Sequence, residues 1–345
     1  MTAHEKYMQR CIELAQNGLG TTYPNPLVGS VIVYNDEIIG EGWHQKAGLP
    51  HAEVNAINSV KNSDLLSKST IYVSLEPCSH FGKTPPCSDL IIAKNISNVV
   101  IGTIDPFAKV SGNGIQRLKD AGRNVTVGVL AEQCNELNKR FFTFHTQKRP
   151  YVILKWAESQ DGFIAPKEKE KQEPIWLSNS YSRQLVHKWR SEEQAILVGT
   201  QTVLDDNPRL DVRDWKGQNP IRLVLDRKGK IGLNCRIYDG QTKTIVFTEE
   251  KKLAIDQCIF ENVIFDNRLV FEMMKIAYNH DIQSVIIEGG RQTLQSFIDA
   301  DLWDEARIFK TKITLNDGTK TPEIKGKRQS ITAILEDELL IVKNL

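Results

Sequence analysis

Four residues in the first quarter of the chain have the types and the spacing of a hydrolytic metal centre. His51 and Glu53 lie in "HAE", and Cys78 and Cys87 lie in "EPCSHFGKTPPC", where each cysteine directly follows a proline. A catalytic zinc ion needs three protein ligands, an open position for water, and a carboxylate that transfers protons without binding the metal. We therefore expect His51, Cys78 and Cys87 to bind one Zn²⁺ and Glu53 to transfer the proton.

The separation of the two cysteines is unusual for this kind of centre. Zinc deaminases acting on nucleobases carry H-x-E followed by P-C-x-x-C, whereas eight residues separate Cys78 from Cys87 here. Closing the longer loop costs only about 1 kcal/mol more than closing a two-residue loop. Cys87 would then begin a helix whose dipole lowers the pKa of its thiol. The spacing is compatible with one metal ion and makes the insertion a candidate substrate loop.

These parts predict hydrolytic deamination of an amino-heterocycle, with Glu53 passing a proton from water to the leaving ammonia. Asn25 lies between two prolines in "YPNPLVG", where its amide either pairs with a base edge or only makes a turn. His80 and Lys83 lie in the insertion and suggest a phosphate on the substrate, although Lys83 is also compatible with a solvated surface. Asp105 follows the predicted strand "NVVIGT" at the end where ligands usually bind.

The elements that would position these residues alternate between helix and strand. Residues 4–17 form a predicted helix, and residues 27–42 form a hairpin that turns at Asn35 and Asp36. The following elements alternate from helix to strand, interrupted by the cysteine loop, and end in one closing helix: 51–60, 70–75, 88–95, 98–103, 114–122, 125–130 and 131–145. This pattern predicts a layered α/β sheet.

A second α/β pattern begins after the basic stretch "TQKRPYV". We therefore predict two domains, 1–147 and 148–345. The second half has predicted strands at 151–157, 195–199, 221–226, 244–248 and 284–290, helices at 180–192 and 291–301, and closing antiparallel strands at 305–311 and 338–344.

Composition excludes several classes of protein. The 345 residues exceed twice the usual size of one domain, and 44 Lys+Arg against 43 Asp+Glu give a net charge of +1, so no overall field attracts nucleic acid or an anionic membrane. Six scattered cysteines are typical of a reduced protein and disfavour a disulfide between Cys78 and Cys87. The charged N-terminus and the lack of a long apolar run predict a cytoplasmic protein without a membrane span.

The combined motifs resemble known families. Residues 20–130, with "HAE", "TIYVSLEPCSHFGKTPPC" and "GTIDPFAKVSGNGIQRLKDAG", resemble the riboflavin-biosynthesis branch of the cytidine-deaminase-like superfamily, whose mark is the long insertion between the cysteines. In the second half, "LKWAESQDGFIA" and "VIIEGGRQTLQSFI" look like the reductase domain of bifunctional riboflavin-pathway proteins. The resemblance implies an N-terminal cytidine-deaminase-like three-layer domain and a C-terminal dihydrofolate-reductase-like domain. It is weaker after Lys310, where a proline-rich loop is absent.

The second half lacks a G-x-G-x-x-G motif, which argues against a Rossmann domain. Gly199 and the pair Gly289-Gly290 each follow a strand and precede a helix, so they either make plain turns or present N–H groups to a pyrophosphate. The resemblance implies that they bind NADPH. It also implies cofactor contacts from further residues, of which Trp176 could instead be core and Asp206 a turn residue: Ala157, Glu158, Asp161, Trp176, Thr202 and Asp206.

The resemblance also implies a substrate site in this half. Arg190 and Arg213 have planar guanidinium groups that can donate paired hydrogen bonds to a ribose phosphate, although Arg190 could be an ordinary helix-surface charge. Further implied substrate contacts are His44, Leu210 and Glu288. Lys155 would approach the sugar and the nicotinamide as a catalytic residue in hydride transfer.

We therefore expect a bifunctional riboflavin-biosynthesis enzyme, acting on a small phosphorylated pyrimidine and forming a homo-oligomer. It would deaminate 2,5-diamino-6-(5-phosphoribosylamino)pyrimidin-4-one with zinc and then reduce the ribosyl group with NADPH. One alternative is a nucleobase or RNA deaminase whose C-terminal domain only binds. A nucleic-acid binder with structural zinc is disfavoured by the neutral charge, the open metal position and Glu53.

Overall fold

The computed structural model describes residues 1–81, 85–107 and 111–345. The chain divides into two compact units, Met1–Lys148 and Arg149–Leu345, here named the N-terminal and C-terminal units. Lys83, a predicted substrate residue, lies outside the described residues. Within the described residues, none of the helices combines the length and the apolar composition that a membrane span requires.

The N-terminal unit contains one five-stranded sheet and six α-helices within its described residues. Its helices are α1 (Ala3–Gln16), α2 (Ala52–Ser59), α3 (Cys87–Ala93), α4 (Asn113–Asp120), α5 (Ala131–Leu137) and α6 (Lys139–Gln147), with a 3₁₀ helix at Ser63–Lys68. Its strands are β1 (Gly29–Tyr34), β2 (Glu37–Trp43), β3 (Thr70–Leu75), β4 (Asn98–Thr103) and β5 (Asn124–Val127). The strand order is β2-β1-β3-β4-β5, with β3, β4 and β5 parallel.

Helices cover both faces of this sheet. Successive side chains of a strand point to opposite faces, so Ile71 packs with residues of α2, α3 and α4, whereas Tyr72 packs with α1 and Cys134 of α5. The predicted layered α/β architecture is therefore confirmed. Because β3 and β4 are central and parallel, the loops that follow them meet at one edge of the sheet.

The predicted closing helix at 131–145 is wrong as a single helix. It is broken between α5 and α6 at Asn138, which is buried. The Asn138 amide accepts a hydrogen bond from the Leu27 N–H at 2.8 Å and donates one to the Leu27 carbonyl at 2.8 Å. One side chain thereby satisfies both polar backbone groups of Leu27, at the residue where the chain departs from helical geometry.

The C-terminal unit is built on a nine-stranded sheet. Its helices are α7 (Ser180–Glu192), α8 (Thr200–Asp206), α9 (Leu269–Asn279) and α10 (Arg291–Asp299), with a 3₁₀ helix at Arg236–Tyr238. Its strands are β6 (Tyr151–Glu158), β7 (Phe163–Pro166), β8 (Ala195–Val198), β9 (Ile221–Leu225), β10 (Thr244–Thr248), β11 (Cys258–Asn262), β12 (Ser284–Gly289), β13 (Glu305–Lys310), β14 (Gly318–Lys320), β15 (Lys327–Ile334) and β16 (Asp337–Lys343).

The sheet order is β11-β10-β9-β8-β12-β6-β13-β16-β15, and β14 pairs separately with β7. The strands from β11 to β13 are parallel, and β16 is antiparallel to β13, as predicted. Residues of α9 and α10 pack on one face, and residues of α7 and α8 pack on the other. The carboxyl ends of the neighbouring strands β8, β12 and β6 therefore form one edge where loops can hold a ligand.

Candidate active sites

His51, Cys78 and Cys87 come together as three potential metal ligands. His51 precedes α2, Cys78 follows β3, and Cys87 is the first residue of α3. The Nδ1 atom of His51 lies 3.6 Å from Cys78 Sγ and 3.3 Å from Cys87 Sγ. Tetrahedral zinc, with Zn–S near 2.3 Å and Zn–N near 2.0 Å, places such ligand atoms about 3.5 Å apart. The donor set therefore fits Zn²⁺.

The amino end of α3 is directed at Cys78. The backbone N–H of Cys87 donates a hydrogen bond to Cys78 Sγ at 3.3 Å. The Cys87 thiol and this N–H favour the Cys78 thiolate, so the pKa of Cys78 falls to about 4. The expected lowering of the Cys87 pKa is wrong: its hydrogen bond to Cys78 and its burial raise the pKa of that thiol. A helix N-terminus acts on the atom that its N–H groups point to.

Glu53 lies in the first turn of α2, two residues after His51, and its side chain does not belong to the ligand set. It is only 3 % exposed, and burial, together with the charge on Cys78, raises its pKa to about 7. A carboxyl group with a pKa near neutrality can both accept and donate a proton under physiological conditions. This environment suits the proton transfer predicted for Glu53.

Asn25 and His44 are joined beside the metal ligands. The Pro50 carbonyl lies 3.2 Å from His44 Nδ1 and can only accept, so Nδ1 carries the proton and Nε2 accepts from the Asn25 amide at 3.0 Å. Burial lowers the pKa of His44, which favours this neutral form. The His44 and His51 rings are 5.3 Å apart. His44 therefore orients the Asn25 amide close to the metal ligands.

Asp105 follows β4 and is buried on the same edge. Its Oδ1 accepts from the Phe107 N–H at 2.7 Å, while Oδ2 has no hydrogen-bond partner in the described part of the chain. Burial, with contributions from Glu76 and Cys78, raises its pKa to about 6. His80 is exposed on the cysteine loop.

Sequence reasoning missed Glu76, the residue before Pro77-Cys78. Its buried carboxylate accepts four backbone hydrogen bonds from residues 105–115. An acidic residue at the buried end of a strand, next to a metal ligand, was the available signal.

The C-terminal unit places three charged residues at the shared strand edge. Arg190 of α7 donates to both carboxylate oxygens of Glu288, at 2.9 and 2.7 Å, and its third nitrogen donates to the Asp211 carbonyl. Lys155 Nζ lies 3.9 Å from the same carboxylate. Although burial opposes ionisation, Arg190 and Lys155 lower the pKa of Glu288 to about 2. The surface-charge interpretation of Arg190 is wrong, because its side chain is only 11 % exposed and its guanidinium pairs with Glu288.

The predicted glycine turns lie side by side. The Gly199 N–H donates to the Gly289 carbonyl at 3.0 Å, and the Gly289-Gly290 peptide is cis. A Cβ on Gly199 would lie 2.7 Å from Thr293 Oγ1, and one on Gly289 would lie 3.1 Å from Thr202 Oγ1. Side chains at these positions would therefore crowd the two threonines. The two glycine turns form a cradle beside the start of α10, where backbone N–H groups can bind a phosphate.

Other predicted cofactor residues have structural partners. Asp161 accepts from Ser159 and from the Leu315 and Asn316 N–H groups at 3.1 and 2.7 Å. Asp206 pairs with Lys169. Asp206 also ends α8, so the interpretation as a simple turn residue does not hold.

The remaining predicted residues differ in exposure. Trp176 is 47 % exposed and stacks with Arg183, so it is not core. Arg213 is exposed and pairs with Asp211 at 2.8 Å. Leu210 is only 2 % exposed, with φ of +56°, so a substrate contact there would involve its backbone. Ala157 and Glu158 end β6, and Glu158 accepts from the Trp156 indole.

Comparison with known proteins covers both units. The family model "Cytidine and deoxycytidylate deaminase zinc-binding region" matches residues 1–103, and "RibD C-terminal domain" matches residues 150–329. These matches confirm the predicted deaminase and reductase halves, and they associate the first with zinc.

Full-length relatives extend the match. The riboflavin biosynthesis protein RibD of Aquifex aeolicus is 37 % identical over 98 % of both chains, and that of Escherichia coli is 36 % identical over 88 % of this chain and 86 % of its own. A Thermotoga maritima structure, described as a diaminohydroxyphosphoribosylaminopyrimidine deaminase/5-amino-6-(5-phosphoribosylamino)uracil reductase, has a TM-score of 0.91 and 37 % identity over 99 % of both chains. Acinetobacter baumannii RibD has a TM-score of 0.89 and 31 % identity over 99 % of both. The chain therefore belongs to the RibD family of riboflavin biosynthesis proteins, bifunctional enzymes with a deaminase half and a reductase half.

Proposed function

We propose that this chain deaminates 2,5-diamino-6-(5-phosphoribosylamino)pyrimidin-4-one with zinc and then reduces the ribosyl group of the product to a ribityl group with NADPH. The observation that carries the proposal is the His51, Cys78 and Cys87 donor set beside buried Glu53, in a chain matched over its length by deaminase/reductases.

In the deaminase half, His51, Cys78 and Cys87 would hold Zn²⁺, which in such sites acidifies water. Glu53 accepts a proton as water attacks the amino-bearing carbon, and it returns a proton to the departing amino group. The net change replaces C–NH₂ by C=O and releases ammonia. Glu53 is buried beside this centre but outside the ligand set, which leaves its carboxyl group available for both transfers.

Substrate orientation falls to residues around this centre. Asn25, held by His44, would pair with the polar edge of the pyrimidine. The unpaired oxygen of Asp105 would accept from a substrate N–H. His80 and Lys83 would bind the phosphate, and Lys83 contributes to this proposal through the sequence alone.

In the reductase half, bound NADPH would supply the hydride that reduces C1 of the ring-opened ribosylamine, and the adjacent nitrogen would gain a proton. The glycine cradle of Gly199, Gly289 and Gly290 would hold the cofactor phosphates. Lys155 would approach the sugar, and Glu288 would fix Lys155 and Arg190 at the strand edge. The guanidinium group of Arg213 is the more accessible one for the substrate phosphate, since both outer nitrogens of Arg190 already donate to Asp211 and Glu288.

The alternative, a nucleobase or RNA deaminase whose C-terminal domain only binds, is disfavoured by the reductase-family match over residues 150–329. It requires that NADPH be neither bound productively nor oxidised. The zinc-bearing half alone does not distinguish the two functions.

The test is to supply the diaminopyrimidine phosphate with and without NADPH and to identify the products by mass. Deamination replaces an amino group by oxygen and adds about 1 Da, and reduction adds about 2 Da more. We expect the first product without NADPH and the second only with it. Ammonia release without any NADPH oxidation would favour the alternative.

A further inference from the structure

Glu76 forms an unusual set of hydrogen bonds at the edge of the deaminase site. Its Oε2 atom accepts from the N–H groups of Asp105 at 3.3 Å and Gly112 at 2.9 Å, and its Oε1 atom accepts from Gly114 at 2.8 Å and Ile115 at 3.2 Å. The residue is only 4 % exposed. Four backbone donors use the main accepting positions of both carboxylate oxygens.

The two oxygens fasten different parts of the backbone. Oε2 joins Asp105 to Gly112, so a single atom closes the neck of the loop between them. Oε1 holds the first turn of α4. Residues 108–110 of this loop lie outside the described residues.

The backbone on either side of the loop is packed closely against the turn that carries Cys78. The Glu76 N–H donates to the Thr103 carbonyl at 3.0 Å. A Cβ on Gly114 would lie 2.0 Å from the Pro77 carbonyl oxygen, so only glycine allows this approach of the two backbones. Glu76 is therefore two residues from the ligand Cys78 and hydrogen-bonded to the backbone of Asp105.

We propose that Glu76 is a positioning residue for deamination, which sets the place of Asp105 relative to the metal ligands. The inference rests on the proposed function of the N-terminal unit. Glu76 acts through Asp105 and the loop neck, without touching the reacting atoms. A residue that only stabilised the fold would alter the free energy of unfolding and leave the kinetic constants of the folded enzyme unchanged.

The test is Glu76→Gln in the full chain, loaded with zinc. Glutamine keeps the size but replaces one accepting oxygen by an NH₂ donor, which faces two backbone N–H groups. We expect kcat/KM for deamination to fall about 10- to 100-fold, because a small misplacement of a substrate-positioning residue such as Asp105 can cost about that much, with most of the loss in KM. Glu76→Asp, which keeps both oxygens, should recover part of it.

The chain supplies its own controls. Zinc content and the kcat/KM of reduction, measured with the deaminated substrate, should stay at wild-type values. Glu41→Gln is the matched control. It removes a part-buried carboxylate of β2 that pairs with Arg10 of α1, and it should leave deamination unchanged.

Unchanged deamination constants in zinc-loaded Glu76→Gln would overturn the inference, even with a lower unfolding midpoint. Loss of zinc would also overturn it, because Glu76 would then support Cys78 instead of the loop. If the wild-type chain released no ammonia, the proposed function itself would fail, and the inference with it.

Discussion

Glu53 in the N-terminal unit and Glu288 in the C-terminal unit are both shielded from solvent, yet their surroundings are opposite. Glu53 is 3 % exposed as a whole residue, and the side chain of Glu288 is 8 % exposed. Glu53 lies beside the Cys78 thiolate, and burial with that charge raises its pKa to about 7. Glu288 lies between Arg190 and Lys155, which overcome its burial and lower its pKa to about 2.

The difference shows how one side-chain type can serve two reactions. A carboxyl group near neutral pKa exchanges protons, as hydrolytic loss of ammonia requires. A carboxylate held ionised by two cations cannot exchange protons near pH 7. It can, however, fix the positions of those cations, which suits a hydride transfer that depends on orientation and electrostatics.

Glu53→Gln should impair deamination strongly, because it removes the group that exchanges the proton. The amide cannot accept the proton from water, so deamination should fall by about 10²- to 10⁴-fold. Zinc content and reduction of the deaminated substrate should persist, as ammonia release, metal analysis and NADPH oxidation would check. Near-normal ammonia release from the variant would remove Glu53 from the reaction.

Lys155→Met should have the reverse effect of Glu53→Gln: it should impair reduction and leave deamination unchanged. The variant keeps much of the side-chain volume but removes the charge near Glu288, and we expect reduction to fall by about 10²- to 10³-fold. Steady-state NADPH oxidation measures the loss, and ammonia release is the control, which should not change. If reduction survives at the wild-type rate, the role proposed for Lys155 is wrong.

The pKa of Glu288 predicts an acid-sensitive contribution to stability. Its pKa in the folded chain is about 2, below the usual 4.5, so its contribution is complete above about pH 4.5 and is lost as the pH falls towards 2. Integrated over that range the contribution is at most about 3 kcal/mol. The measurement is urea unfolding followed by tryptophan fluorescence. This signal mainly reports the C-terminal unit, since five of the six tryptophans lie in it.

The matched variant for that measurement is Glu288→Gln, which cannot ionise. The difference in unfolding free energy between the wild type and the variant should shrink as the pH is lowered from about 4.5 to about 2. A difference that stays constant over this range would show that Arg190 and Lys155 do not hold the Glu288 charge in the folded state.

The sequence predicted the first site better than the second for a physical reason. His51 and Glu53 share one helix start, and Cys78 and Cys87 bound one short loop. Local spacing therefore fixes each pair, and the fold has only to bring the two pairs together across 27 to 36 residues. Lys155, Arg190 and Glu288 come from β6, α7 and β12. Their ion pairs depend on the strand order of the sheet, which periodicity does not specify.

Three further features could not be predicted from the sequence for related reasons. The helix break at Asn138 depends on the distant backbone of Leu27, and the edge strand β15 has mostly exposed residues, so it lacks the apolar alternation that identifies a strand. Glu76 and Asp161 bind backbone N–H groups, which every residue except proline possesses. No residue type in the sequence marks such partners.

Asp161 is a counterpart to Glu76 in the C-terminal unit, and its substitution should change the kinetics only slightly. It accepts from the Leu315 and Asn316 N–H groups as Glu76 does from its loop, but Asp161 is exposed. Water can replace an exposed acceptor, so Asp161→Asn should raise KM for NADPH only about threefold and leave kcat and deamination unchanged. Asp266→Asn, another exposed aspartate that accepts a backbone N–H, is the matched control. A fall in kcat of more than about tenfold would instead mean that Asp161 contacts the reacting groups, because loss of a solvated loop contact cannot account for it.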